Sequence, residues 1–266
     1  MSQAYCAGRR IAFFGGSFDP PHWGHLAVAR AAFAALNLET VLFAPVGAQP
    51  LKAAGATAGF QDRVAMTRLA IAGEPGFDLS LADAPKPSGN PNFTIETLLH
   101  LRAELGPDCA LFCLMGADSF FNLKNWHRSP EIPFVASFIV ASRPGQPLGE
   151  SVAGLQAALP AGLLLESAPQ LRPEKAKIRP SIKESGHSEC DTTKSGIDVR
   201  AFLVVNSVGD RAPLYLLPGL NVEVSASAIR EAIRARASGA PAGLVALADL
   251  LPAAVRDYIV HHNLYR

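Results

Sequence analysis

Two histidines three residues apart, His22 and His25, follow a pair of glycines, Gly15 and Gly16, with Ser17, Phe18, Asp19, Pro20 and Pro21 between. Imidazoles donate hydrogen bonds near neutral pH, and glycine lets a backbone approach a ligand closely. The combination suits the holding of an anion. Arg10 to Phe14 reads as a short buried strand, and Trp23 to Leu36 as a helix with Leu26, Ala29, Phe33 and Leu36 near one face. The glycines are therefore expected at a strand-to-helix turn, where unpaired backbone N–H groups and the helix dipole favour a phosphate. At i, i+3 both imidazoles can face what that turn holds, and Gly24 between them leaves room for close approach.

Two common nucleotide motifs do not fit this stretch. No Gly-Lys-Ser/Thr follows the glycines, and the three-glycine spacing of a dinucleotide fingerprint is absent. A histidine pair could also ligate a metal, but zinc needs further ligands, and no Cys or Asp/Glu cluster stands nearby at ligand spacing. No metal ligand is assigned.

The elements that must position these groups alternate along the chain. Thr40 to Ala44 reads as a strand, Asp62 to Ala72 and Thr94 to Leu105 as helices, and Ala110 to Met115 and Ser137 to Ala141 as buried strands. Val199 to Val205 and Pro213 to Leu217 are further apolar, strand-like runs. Such alternation implies an α/β fold, a doubly wound parallel sheet in a single domain spanning 1–266. Ligands in such sheets sit beyond the carboxyl ends of the strands, so Gly116-Ala117-Asp118-Ser119 and the Gly15-Gly16 turn are expected to share a cleft. From about Ser167 to Gly196, prolines and mixed charges replace large apolar residues, which reads as a mobile insertion at about 167–196.

A second polar group opens a later helix. In Val224-Ser225-Ala226-Ser227-Ala228-Ile229-Arg230, Ser225 is a plausible N-cap, and Arg230 lies one turn in, where it can meet an anion.

His22-Trp23-Gly24-His25 after a glycine-rich turn resembles the signature of the nucleotidylyltransferase superfamily, and Gly-Ser-Phe-Asp-Pro ahead of it is similar to the bacterial nicotinate-nucleotide adenylyltransferases. The resemblance extends through Asn92 to Leu98, Leu114 to Ser119, Trp126, Ile139 to Pro144, the 224–230 segment and Pro252 to Arg266. It implies a Rossmann-like nucleotidylyltransferase fold and the joining of ATP, carried with Mg²⁺, to nicotinate mononucleotide, with release of pyrophosphate. It further implies that Gly15, Gly16, Ser17, Phe18, His22, His25, Asp118, Ser225, Ser227 and Arg230 bind ATP, with His22, His25 and Arg230 catalytic. Thr94, Trp126, Lys52 and Arg143 would contact the mononucleotide. Val224 and Ser227 are mild departures from the second signature, Ser227 keeping a hydroxyl where the family has Thr. A larger one is Gln49-Pro50-Leu51-Lys52, where the family commonly has Pro-Pro-His-Lys.

Composition sets the remaining bounds. The 266 residues are 49% hydrophobic and 18% charged, and 24 basic against 23 acidic residues leave a formal charge of +1, so no nucleic-acid partner is indicated. Arg9-Arg10 is followed by an apolar run that ends at Phe14, too short for an export signal, and no apolar stretch approaches the roughly 20 residues that span a bilayer. Cys6, Cys109, Cys113 and Cys190 are scattered as reduced thiols would be. The expectation is a cytoplasmic enzyme without a membrane partner.

Overall fold

The structure, a computed structural model, describes residues 8–49, 55–142, 152–171, 199–220, 224–237 and 247–266. In chain order its elements are β1 (Arg10–Gly16), α1 (Trp23–Ala35), β2 (Thr40–Pro45), α2 (Phe60–Ile71), β3 (Phe77–Leu79), α3 (Thr94–Leu105), β4 (Ala110–Gly116), α4 (Ala117–Phe121), α5 (Ile132–Val135) and β5 (Ser137–Ala141). There follow α6 (Val152–Ala158), β6 (Leu164–Ser167), β7 (Arg200–Val205), β8 (Arg211–Leu217), α7 (Ala226–Ala237), α8 (Leu247–Leu250) and α9 (Ala253–His261). The eight strands form one sheet in the order β3-β2-β1-β4-β5-β8-β7-β6.

Residues of the central strands pack alternately on the two faces of the sheet because successive side chains leave a strand on opposite faces. Phe13, Leu111, Cys113, Met115, Phe138, Val140, Leu214 and Leu216 pack on one face under α3 to α6. Ala12, Phe14, Phe112, Leu114, Ile139, Tyr215 and Leu217 pack on the other, against Leu26, Ala29 and Ala32 of α1. Both faces are covered, which is why these strands read as unbroken apolar runs. Cys109 and Cys113 are free thiols buried in this core.

The sheet is not parallel throughout. β1 to β5 and β8 run parallel, but β8 pairs antiparallel with β7, and β7 with β6. Only residues 206–210 join β7 to β8, too short for the dozen or more residues of a parallel crossover. There Asn206 Oδ1 accepts from the backbone N–H of Val208 at 3.2 Å and of Asp210 at 2.8 Å, and Gly209 takes a φ of 90°. The segment expected to be irregular from Ser167 begins differently too, since Ser167 still pairs with Phe202 at the end of β6. Residues 172–198, the bulk of that expected insertion, lie outside the described residues.

A third apolar cluster lies beside the sheet, where Met66 and Ala70 of α2 meet Ile229 of α7, Val255 and Ile259 of α9, and Tyr265. One buried cation ties this cluster to the strand ends. Arg63 of α2, 2% exposed, donates to the carbonyls of Ser17 at 2.7 Å, Val46 at 2.8 Å and Ala58 at 3.3 Å. Burial lowers its pKa, and the neighbouring Asp19 opposes that shift. A planar fork can serve several carbonyls at once, whereas an ammonium is a single point charge. Arg63→Met should cost about 3 kcal/mol by leaving buried acceptors unmet, and Arg63→Lys should recover only part of that. Denaturant midpoints measure both, and a loss below about 1 kcal/mol for the methionine variant would mean the carbonyls are readily rehydrated.

Candidate active site

The sheet reverses its winding between β1 and β4, and a cavity of about 1120 Å³ opens beyond the carboxyl ends of these strands. A topological switch point is where such folds bind ligands. The cavity is lined by Gly15, Gly16, Ser17, Phe18, His22, His25, Thr94, Asp118, Trp126, Ser225, Ser227 and Arg230, so residues from distant parts of the sequence meet in one place. Lys52 and Arg143 lie outside the described residues.

Gly15 and Gly16 prove to be the last residues of β1, paired with Ala44 and Pro45, rather than part of the turn. Their small size serves packing. A Cβ on Gly15 would lie 2.8 Å from the Phe13 ring, and one on Gly16 would lie 3.2 Å from the Phe18 ring. The turn begins at Ser17, and Phe18 enters it with a φ of 48°, a strained value for a residue with a side chain. Its ring is 1% exposed, edge-on to Phe14 and to His25, so aromatic packing holds the strained backbone in place.

The two histidines close the start of α1 themselves. His22 is the N-cap, its Nδ1 accepting from the Gly24 backbone N–H at 3.1 Å, while His25 Nδ1 accepts from the His22 backbone N–H at 3.2 Å. Each satisfies a donor that the helix would leave orphaned. Because both Nδ1 atoms are acceptors, the neutral rings carry their protons on Nε2. The rings lie 3.8 Å apart, centroid to centroid. Two Nε2–H donors are thereby fixed side by side in the cavity wall.

Arg230 supplies a cation beside them. Ser225 caps α7 through Oγ, which accepts from the Ala228 N–H at 3.1 Å. One turn on, the Arg230 guanidinium donates to the Asp19 carbonyl at 2.6 Å and to Ser227 Oγ at 3.3 Å. Its buried Nε has no hydrogen-bond partner among the described residues. A buried donor left unmet costs about 1–3 kcal/mol, whereas the guanidinium as a whole lines the cavity.

The far end of the cavity is aromatic. Trp126 is half-buried, the Phe93 ring lies tilted against His127 with centroids 4.4 Å apart, and Thr94 is the first residue of α3, whose N-terminus no side chain caps. Beneath them Asn92 bridges two loops, accepting from the Ala48 N–H at 3.1 Å and donating to the Ala84 carbonyl at 2.9 Å. Buried Asp83 accepts from Thr97 Oγ1 at 2.8 Å. Burial pushes its carboxyl pKa up, against the hydrogen bonds from Thr97 and Asn92 and the charge of Lys86. Gln49, which stands in the departing loop, accepts from Ser17 Oγ at 3.0 Å. Among the described residues no group of three or more His, Cys, Asp or Glu stands together as a metal site would.

Asp83, Arg63, Gln49 and Tyr265 were not singled out as site residues by sequence reasoning. Asp19 sat within the quoted signature without a role. Asp19 is 4% exposed and accepts from the Thr57 N–H at 2.6 Å, the Ala58 N–H at 3.0 Å and the Tyr265 hydroxyl at 2.8 Å. A charged residue between a bulky aromatic and two prolines was the available signal.

A parallel-dominated sheet with paired histidines and an arginine at its switch point defines a nucleotidyl-transferring protein, and the chain belongs to the cytidylyltransferase-like family, whose model matches residues 13–232. It is 36% identical over 257 residues to the probable nicotinate-nucleotide adenylyltransferase of Laribacter hongkongensis, covering 96% of this chain and 94% of that protein. With the enzyme of the same name from Stenotrophomonas maltophilia it shares 41% identity over 194 residues, 65% of this chain and 86% of the relative. The chain belongs with the nicotinate-nucleotide adenylyltransferases. Its fold is also that of Plasmodium falciparum nicotinic acid mononucleotide adenylyltransferase complexed with NaAD, at a TM-score of 0.58 and 15% identity over 97% of each chain.

Two outcomes are expected. His25→Ala should lower turnover by about two to three orders of magnitude, as for loss of one preorganised donor, while costing about 1 kcal/mol of stability through the lost cap. Near-normal turnover in the folded variant would remove the histidine pair from the chemistry. For Asp83, a carboxyl pKa raised in the folded state makes that state bind the proton more tightly than the unfolded chain does. Stability is then lost as pH rises from the ordinary carboxylate range through the raised value. The stability of Asp83→Asn relative to the parent should therefore climb across that window and level off above it, and denaturant titrations that show a constant difference would contradict the assignment.

Proposed function

We propose that the cavity holds ATP at its His22, His25 and Arg230 end and nicotinate mononucleotide at its Phe93, Thr94 and Trp126 end, in line for adenylyl transfer. The observation that carries this reading is the continuity of the two ends in one cavity. An oxygen of the mononucleotide phosphate attacks the α-phosphorus of ATP. A new P–O bond forms, the bond to the β-phosphate breaks, and pyrophosphate leaves with the electron pair. The product is nicotinate adenine dinucleotide, on the route to NAD. A phosphate is already nucleophilic, so no covalent enzyme intermediate is needed.

Rate then comes from alignment and from charge stabilisation over the phosphoryl oxygens. His22 and His25 offer Nε2–H donors, and Arg230, which lines the same cavity, offers its guanidinium. Ser225 and Ser227 stand at the same end, with Asp118 beyond β4. The metal is Mg²⁺ entering with ATP and held chiefly by phosphate oxygens and water. Lys52 and Arg143 complete the proposed mononucleotide contacts. Among the described residues no helix is long and apolar enough to cross a membrane, and we place the enzyme in the cytoplasm.

Trp126 offers the nicotinate ring a flat face, and the uncapped amides where α3 begins offer its carboxylate hydrogen bonds. Charge-assisted bonds are about twice as strong as neutral ones, and a carboxamide would turn a donor toward those N–H groups. Unpaired buried groups cost about 1–3 kcal/mol each, so kcat/KM should favour nicotinate over nicotinamide mononucleotide by on the order of a hundredfold. Trp126→Ala should weaken both and leave the ratio standing. The decisive measurement is pyrophosphate release with ATP and with CTP against nicotinate mononucleotide, nicotinamide mononucleotide and phosphopantetheine. Equal use of the two pyridine mononucleotides would overturn the acceptor assignment, and preference for CTP would overturn the donor.

A further inference from the structure

Tyr265 follows α9 and lies 246 residues from Asp19, yet its hydroxyl donates to Asp19 Oδ1 at 2.8 Å. Its ring is buried in the cluster that contains Ile229 of α7 and Ile259 of α9. Its backbone holds a φ of 65°, a left-handed conformation that a tyrosine adopts only when its surroundings impose it. Burial, and then the Asp19 carboxylate, push the phenol pKa up, so the group remains a donor.

Asp19 in turn faces Arg230 in two ways. Its carbonyl accepts from a terminal nitrogen of Arg230 at 2.6 Å, and its Oδ2 lies 3.8 Å from the same nitrogen. The carboxylate is thus close enough to compete for the guanidinium. Thr57 N–H and Ala58 N–H hold it from the loop before α2, and Tyr265 holds it from the side of α9.

We propose that Tyr265 is a positioning residue for Arg230: by occupying Asp19 Oδ1 it keeps the carboxylate turned toward the 57–58 amides, so that the guanidinium stays presented to the nucleotide phosphates. This rests on the reading of Arg230 as a phosphate ligand. Without the hydroxyl, the carboxylate lacks one of its donors and recruits the guanidinium as a replacement, drawing it from the cavity.

Tyr265→Phe keeps the buried ring and removes only the hydroxyl. In the full chain it should lower kcat/KM for ATP, and affinity for an unreactive ATP analogue, by about tenfold, the scale of a small misplacement of a contact group. KM for nicotinate mononucleotide should not change. In an Arg230→Ala background the effect should vanish, because the group being positioned is gone. Ile259→Ala, which loosens the same cluster without touching Asp19, provides the structural control, with each variant assayed where circular dichroism shows it fully folded. An unchanged Tyr265→Phe would overturn the proposal, as would an equal loss in the Arg230→Ala background or in Ile259→Ala. Failure of Tyr265→Phe to fold would also overturn it by making the hydroxyl a folding requirement. A parent protein that binds the analogue but makes no pyrophosphate with nicotinate mononucleotide would sink the acceptor assignment, while analogue affinities would still decide the role of Tyr265.

Discussion

A carboxyl group removed from water must have its lone pairs met by donors, because an unpaired buried polar group is costly. Asp19 is such a group at 4% exposure, and its donors come from the 57–58 loop and from Tyr265 beyond α9, while its carbonyl engages α7. Parts of the chain that share no strand pairing are therefore drawn to one residue of the loop after β1. Arg63 performs the complementary task with its guanidinium, gathering the carbonyls of Ser17, Val46 and Ala58. Opposite charges buried near one another lower the cost of keeping both charged. Together they fix the loop after β1 relative to the loops after β2, and those loops form the cavity wall.

With the loop fixed, local chemistry does the rest. The Nδ1 atoms of His22 and His25 satisfy the first amides of α1, which determines where the remaining ring protons sit. Capping and presentation of donors are one arrangement. The donors need no reorganisation when negative charge builds on a phosphoryl oxygen, which is the condition under which such groups lower a barrier most.

Much of this architecture was legible in the sequence because buried strands and amphipathic helices leave periodic traces. The runs at 40–44, 94–105, 110–115 and 137–141 match β2, α3, β4 and β5 to within a residue. The antiparallel edge was not read, although Asn206-Ser207-Val208-Gly209-Asp210 between two apolar runs carries the composition of a hairpin turn. β3, three residues long, is too short to leave a periodic trace. In the site, the histidine spacing and the Ser225 cap are local patterns, and the structure brings them to one cavity. The contacts of Asp19 with Tyr265, and of Arg63 with Ser17, have no local pattern at all. They join residues 246 and 46 apart, and such pairs exist only once the chain is folded.

The division of the cavity into a donor end and an aromatic end follows from the topology. β1 leads into α1, whose N-terminus brings the imidazole donors, whereas β4 leads through α4 toward Trp126, and α3 begins nearby at Thr94. A polyphosphate, with its charge spread over many oxygens, matches the first set. A flat ring with one charged substituent matches the second. Because the winding reverses between β1 and β4, the two sets flank a single opening and are not separated by a layer of helix. A reaction that joins two nucleotides through their phosphates needs that adjacency more than it needs a nucleophile from the protein, since effective concentration and alignment supply much of the rate. The contacts that matter most are then those that prevent rotation of the donors: the Phe18 ring against His25, the Asp19 carbonyl on Arg230, and Arg63 under Ser17.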